Sequence, residues 1–299
     1  MKNRVIIIIL AVLLALSCGC LLWICCFGGY QMFYCTFLQS PNHIYTMETG
    51  ILQNQTDFRS GSDLSLQYDF DAPEYMQLRS GYSVEEIAGS GSEFEKARNL
   101  MNEFSGRLKH SPDFPDNVPL TASDLLAYSL DDPSHGINCM CKAQILNEML
   151  LSLGIYSRTV WLEPNSVYDT ECHVVNEVYD STYNKWIMLD ITFNMYWVDE
   201  QKTPLSILEI RENAARQIFC TPVNAGEPLS DLNKSLKKHY GTFLYILKNL
   251  CALKYCNVYS AGLTDGFSML CPINNSPEKY SMENNLISEA AVRALPGQK

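Results

Sequence analysis

Hydrophobic positions change their period several times along the chain, and each change marks an element. Val5 to Phe27 carries no charge, follows Lys2 and Arg4, and as a helix is long enough to cross roughly 30 Å of hydrocarbon. It reads as an N-terminal transmembrane helix. No Lys or Arg follows until Arg59, so the positive-inside rule leaves the N-terminus cytoplasmic and the rest of the chain extracytoplasmic. A cleaved signal, giving a secreted protein, would have a shorter apolar core and an A-x-A-like site. Ser17-Cys18-Gly19-Cys20 admits a lipoprotein reading, without the leucine expected ahead of either cysteine.

Gln39 to about Asp63 is polar and aperiodic, as expected of a stalk. Ser92 to Leu108 then places Phe94, Ala97, Leu100, Met101, Phe104 and Leu108 at spacings of three and four, the pattern of an amphipathic helix. Thr121 with Asp124 opens a short capped helix through Leu130. From the N-cap Asn138, a further helix runs through Cys139, Ala143, Leu146, Leu150 and Leu153 and stops at Gly154 and Ile155. Arg158 to Leu162, His173 to Tyr179 and Lys185 to Thr192 are rich in Val, Ile, Trp and Tyr and read as strands, the last two forming a hairpin. Thr203 to about Ile218 reads as a helix, Gly226 to Asp231 as a loop, and Tyr240 to Tyr259 as strands or as helix plus strand. Beyond Asn274 the chain turns polar, with a short terminal helix over Ile287 to Leu295.

With 299 residues and 47% hydrophobic content, the chain can bury one domain of about 200 residues plus appendages. The expected division is 1–28 anchor, 29–62 stalk, 63–277 folded domain and 278–299 polar tail. A formal charge of -11 and only 22 Lys and Arg argue against nucleic acid as a partner. Of the 12 cysteines, Cys18, Cys20, Cys25, Cys26 and Cys35 lie in or just after the apolar run. Cys139, Cys141, Cys172, Cys220, Cys251, Cys256 and Cys271 remain, an odd set that suits one free thiol and up to three disulfides of open pairing.

The chemistry centres on Cys139. A thiol in the first turn of a helix faces unpaired N–H groups and the positive end of the helix dipole, which favour thiolate. Cys141 points about 200 degrees around the helix, so only one of the pair can face a given cleft. A hairpin turn near Thr182 would put His173 opposite Ile191, with Asp190 a close cross-strand neighbour able to orient the imidazole. A zinc site of Cys139, Cys141, Cys172 and His173 uses suitable ligand types at poor spacing, because adjacent strand residues point to opposite faces. His135 is an alternative base, whereas His43, His110 and His239 read as surface residues.

These residues resemble the transglutaminase-like superfamily, in a membrane-anchored, bacterial-type form. Cys139 is followed by Ala143 and by Leu153-Gly154-Ile155; Arg158-Thr159-Val160 is similar to the family's Ala-Arg-Tyr-Val strand. HVVNEVY from His173 stands where the family has HAWVEVY, and Trp186 precedes Leu189-Asp190-Ile191-Thr192, similar to the family's Leu-Asp-Pro-Thr. The resemblance implies an α+β, papain-like fold, with the Cys helix packed on an antiparallel sheet that bears His and Asp. It implies catalytic Cys139, His173 and Asp190, no cofactor or metal, and thiol-mediated acyl transfer on a protein or peptide substrate. Hydrolysis is favoured, because nothing suggests the sandwich domains or calcium loops of cross-linking enzymes. The alternative is an inactive binding or cell-surface module on the same fold. Three positions depart from the pattern: two residues separate Gly136 from Cys139, Val175 replaces an aromatic wall, and Ile191 replaces a proline. No residue matches the family's upstream oxyanion donor.

Overall fold

The computed structural model describes residues 10, 12–14, 16–19, 41–115, 117–166, 168–169, 171–262 and 266–296. The expected membrane helix lies for most of its length outside the described residues, among which no helix is long and apolar enough to cross a membrane. Residues 48–299 form one compact unit, and residues 1–47 another.

In chain order the elements are α1 (Pro41–Gln53), β1 (Gln67–Tyr68), α2 (Glu74–Tyr82), α3 (Val84–Ala88), α4 (Glu93–Arg107), α5 (Ala122–Asp131) and α6 (Cys139–Ser152). Then come β2 (Ser157–Glu163), β3 (His173–Asp180), β4 (Lys185–Asp190), β5 (Met195–Val198), α7 (Ile207–Ala215), β6 (Thr221–Asn224), α8 (Leu232–Lys238) and α9 (Tyr240–Asn249). The last are β7 (Ala252–Cys256), β8 (Val258–Tyr259), β9 (Phe267–Leu270), a 3-10 turn (Pro277–Tyr280) and α10 (Glu289–Arg293). Seven strands make one sheet in the order β6-β5-β4-β3-β2-β7-β9, antiparallel throughout.

α6 is the central helix because almost none of it is polar surface: residues 141–152 are all buried. It packs on β2 and β3 on one side and on α2, α4 and α5 on the other. Both of its ends are closed. The Asn138 side chain accepts from the Cys141 N–H at 3.0 Å, a cap that contributes about 1 kcal/mol. At the far end Gly154 takes φ 73°, and the N–H groups of Ile155 and Gly154 donate to Leu150 and Leu151, the double hydrogen bond of a Schellman stop. α4 starts on a Ser92–Glu95 capping box and buries Phe94, Ala97, Leu100, Met101 and Phe104, the positions its spacing predicts.

The β3–β4 hairpin departs from the expected register by one residue. Asp180 pairs with Lys185 and Asn176 with Leu189, so continuing the ladder sets Val175, not Val174, against Asp190. The turn accounts for the shift. Asp180 Oδ1 accepts from the N–H groups of Thr182 and Tyr183, Oδ2 accepts from the Phe94 N–H, and Asn184 adopts φ 51°, which together make a four-residue loop. A slip by one exchanges every side chain between faces. His173 and Asp190 therefore share a face.

The segments read as stalk and polar tail both carry buried residues. α1 occupies much of the stalk, Leu52 and Gln55 are buried, and so are Ile287 and Val292 near the C-terminus. Buried cations supply the reason. Arg211 donates to the Gln55 carbonyl at 2.6 Å, and Arg158, paired with Glu177 at 2.6 Å, donates to the Val292 carbonyl at 3.0 Å. Each guanidinium loses water on burial and takes main-chain oxygens from these segments in exchange. Tyr240 to Tyr259 resolves into α9, β7 and β8. Cys139, Cys141, Cys172, Cys220, Cys251, Cys256 and Cys271 are all free thiols.

Candidate active site

Cys139 is the first residue of α6 and is partly exposed, while Cys141 is fully buried. Their environments push the two thiols apart. Burial raises Cys139, but the hydrogen bond and charge of His173 and the Val174 N–H outweigh it, and the net shift is downward from 9.0. Burial lifts Cys141 to about 12. Of the pair, only Cys139 combines access with a stabilised thiolate.

His173 opens β3 and Asp190 closes β4, so the hairpin carries both. Nε2–H of His173 donates to Asp190 Oδ2 at 2.8 Å, with the two side chains 2% and 0% exposed. That bond leaves Nδ1 as the ring nitrogen available to Cys139, whose sulfur acts on the imidazole. Burial alone would lower the imidazole, yet the Asp190 carboxylate and the Cys139 sulfur raise it to about 10. The other Asp190 oxygen, Oδ1, accepts from Thr192 N–H at 2.9 Å and Phe193 N–H at 3.2 Å. One carboxylate thus fixes the turn and the imidazole together.

Two rings enclose His173. The Phe193 and Tyr245 centroids each lie 5.3 Å from it, tilted by 34° and 72°. Phe193 follows Asp190 closely enough to be sought in the sequence, but Tyr245 comes from α9, which no motif ties to the site.

The approach to α6 explains the extra residue between Gly136 and Cys139. Ile137 forms a parallel bridge with His110, its N–H donating to the Lys109 carbonyl and its carbonyl accepting from Ser111. Lys142, 2% exposed, donates to the Leu108 carbonyl at 2.6 Å and ties the same segment to the helix. A Cβ on Gly136 would meet Ser111 Cβ at 2.5 Å. His135 directs Nδ1 to the Tyr128 carbonyl and stacks on that ring at 4.3 Å, so it packs and does not face Cys139 as a base. His110 is exposed, as expected, and partial desolvation of its ring together with the nearby Lys142 and His173 charges lowers it. Among the described residues, no group of His, Cys, Asp and Glu side chains is arranged to hold a metal ion.

Residues 82–191 match the family model of the transglutaminase-like superfamily. The match covers 110 of the 299 residues of the chain. The matched span contains Cys139, His173 and Asp190, whereas Phe193 and Tyr245 lie beyond it. No curated protein matches the sequence. Among solved structures, a Parabacteroides distasonis protein named as a candidate protease is 14% identical over 51% of this chain and 30% of its own, with a TM-score of 0.26. Rad4-Rad23 bound to a 6-4 photoproduct UV lesion is 15% identical over 70% of this chain and 51% of its own, with a TM-score of 0.22. The chain spans less than two thirds of either neighbour.

Proposed function

We propose that the transglutaminase-like domain is a thiol enzyme that cleaves amide bonds of proteins or peptides, with Cys139 as nucleophile, His173 as acid and base, and Asp190 as the group that orients His173. The observation that carries this reading is the buried His173–Asp190 hydrogen bond beside a thiol whose acidity is raised at a helix N-terminus. The Cys139 thiolate attacks the carbonyl carbon, and the oxyanion forms near the first-turn N–H groups of α6, which have no intrahelical partner. As the C–N bond breaks, protonated His173 gives its proton to the departing amine, leaving a thioester on Cys139. Water then attacks the thioester, His173 takes its proton, and the acid is released with the thiolate restored. An amine in place of water would give cross-linking by the same steps. The apolar run Val5 to Phe27 would hold the domain on the outer face of a membrane.

Iodoacetamide labelling followed by mass spectrometry tests the thiol reading. Cys139 should react ahead of the other six cysteines of the domain, and the preference should vanish in His173→Ala. Labelling of Cys139 no faster than a free thiol peptide would sink the proposal. A peptide library assayed with and without a primary amine then separates hydrolysis from transfer.

A further inference from the structure

The rings that flank His173 go beyond this reading and rest on it. We propose that Tyr245, acting with Phe193, is a positioning residue: the two rings fix the imidazole plane between Asp190 and Cys139 and favour its protonated form, keeping Cys139 a thiolate. Tyr245 meets the imidazole near-perpendicularly at 5.3 Å, Phe193 meets it at 5.3 Å from another side, and the two rings lie 5.8 Å apart. This accounts for the 2% exposure of the histidine. Water kept off the ring cannot compete for the Asp190 hydrogen bond, and aromatic faces attract a cation within about 6 Å of their centroid.

Tyr245 is itself held. Lys248, one turn further along α9, lies 5.5 Å from the Tyr245 centroid and pairs with Asp169 at 2.8 Å and Glu171 at 2.9 Å, the latter two residues ahead of His173. α9 therefore grips both the ring and the segment that leads into β3. A hydrophobic residue without a ring would fill part of the space but supply neither the π face nor the plane. The other charges and thiols around the pair are Lys142 on α6, His110 beside Ile137, and Glu171 and Cys172 just before His173, and none changes in the variants below.

The test is the pH dependence of Cys139 alkylation by iodoacetamide in the full chain, which needs no substrate. Tyr245→Leu should move the rise in rate to higher pH and slow labelling at pH 6 by about threefold, the worth of one lost cation–π contact. Tyr245→Phe should keep the wild-type curve, because it keeps the ring. Phe193→Leu should act like Tyr245→Leu, and it decides the matter if Tyr245→Leu fails to fold by circular dichroism. An unchanged curve in the leucine variants overturns the proposal, as does a Tyr245→Phe curve displaced as far as that of Tyr245→Leu. If wild-type Cys139 itself titrates like an ordinary thiol, the enzyme reading falls instead.

Discussion

Asp190 holds His173 with one carboxylate oxygen and its own turn with the other. Oδ2 accepts from His173 Nε2–H at 2.8 Å, while Oδ1 accepts from the N–H groups of Thr192 and Phe193. The imidazole orientation is therefore set by a carboxylate that cannot rotate without releasing its turn. Asp190→Asn can keep the turn through its carbonyl oxygen, but its amide would present a donor to Nε2–H, favouring the wrong tautomer. Under the proposed mechanism this substitution should lower kcat by roughly 10^3- to 10^4-fold with little change in KM, measured on whichever peptide the wild type cleaves. A loss below tenfold would mean that Asp190 serves the turn alone.

The two thiols of α6 should separate cleanly by pH. Cys139 lies below 9.0 through its contact with His173, and Cys141 is pushed to about 12 by burial. Alkylation of Cys139 should rise on the acid side of 9 and stay high at more alkaline pH, well before Cys141 becomes reactive. Cys139→Ala should abolish the fast phase and Cys141→Ala should leave it. A fast phase that survives Cys139→Ala would move the nucleophile elsewhere.

Gly136 is where the approach to α6 is tightest. Alanine there would set its Cβ 2.5 Å from Ser111 Cβ and 3.3 Å from the His110 carbonyl carbon, so backbone must shift. Gly136→Ala should destabilise the domain by about 1–3 kcal/mol, an overpacking cost, and slow Cys139 alkylation at pH 6 by displacing the helix N-terminus. Thermal melting and the labelling rate check the two parts. An unaltered melting temperature would show that the segment at Ser111 yields freely.

Glu148, on the same helix, predicts a stability change near neutrality. Burial raises its carboxyl from 4.5 to about 7, against hydrogen bonds from Gln144, Gly262 and Ala122 that favour the charged form. The folded state then holds the proton more tightly than the unfolded one. Its contribution is greatest below about pH 4.5 and is lost as pH rises through about 7, to the order of 3 kcal/mol. Glu148→Gln keeps an acceptor oxygen and removes this titration. Urea unfolding at pH 5 and pH 8 should show the wild type losing more stability than the variant; equal losses would contradict the raised carboxyl.

Much of the architecture is legible locally because it is periodic or capped. Asn138, the three-to-four spacing from Cys139 to Leu153, and Gly154 determine α6, and the same signals determine α4 and the β-rich segments that become β2, β3 and β4. These patterns mark Cys139, His173 and Asp190 as chemically interesting. They do not determine how those residues meet. Which face His173 shares with Asp190 depended on a one-residue register set by Asp180, whose Oδ2 is bonded to Phe94 in a helix far back in the chain. Tertiary structure alone decided that Cys141 is sealed while Cys139 is accessible, that Tyr245 of α9 closes over His173, and that the segments at Gln55 and Val292 serve buried arginines. The physical reason is common to all four. A period in sequence says which side of an element is apolar, but the partner that covers it is chosen by contacts between residues distant in the chain, and those leave no local pattern.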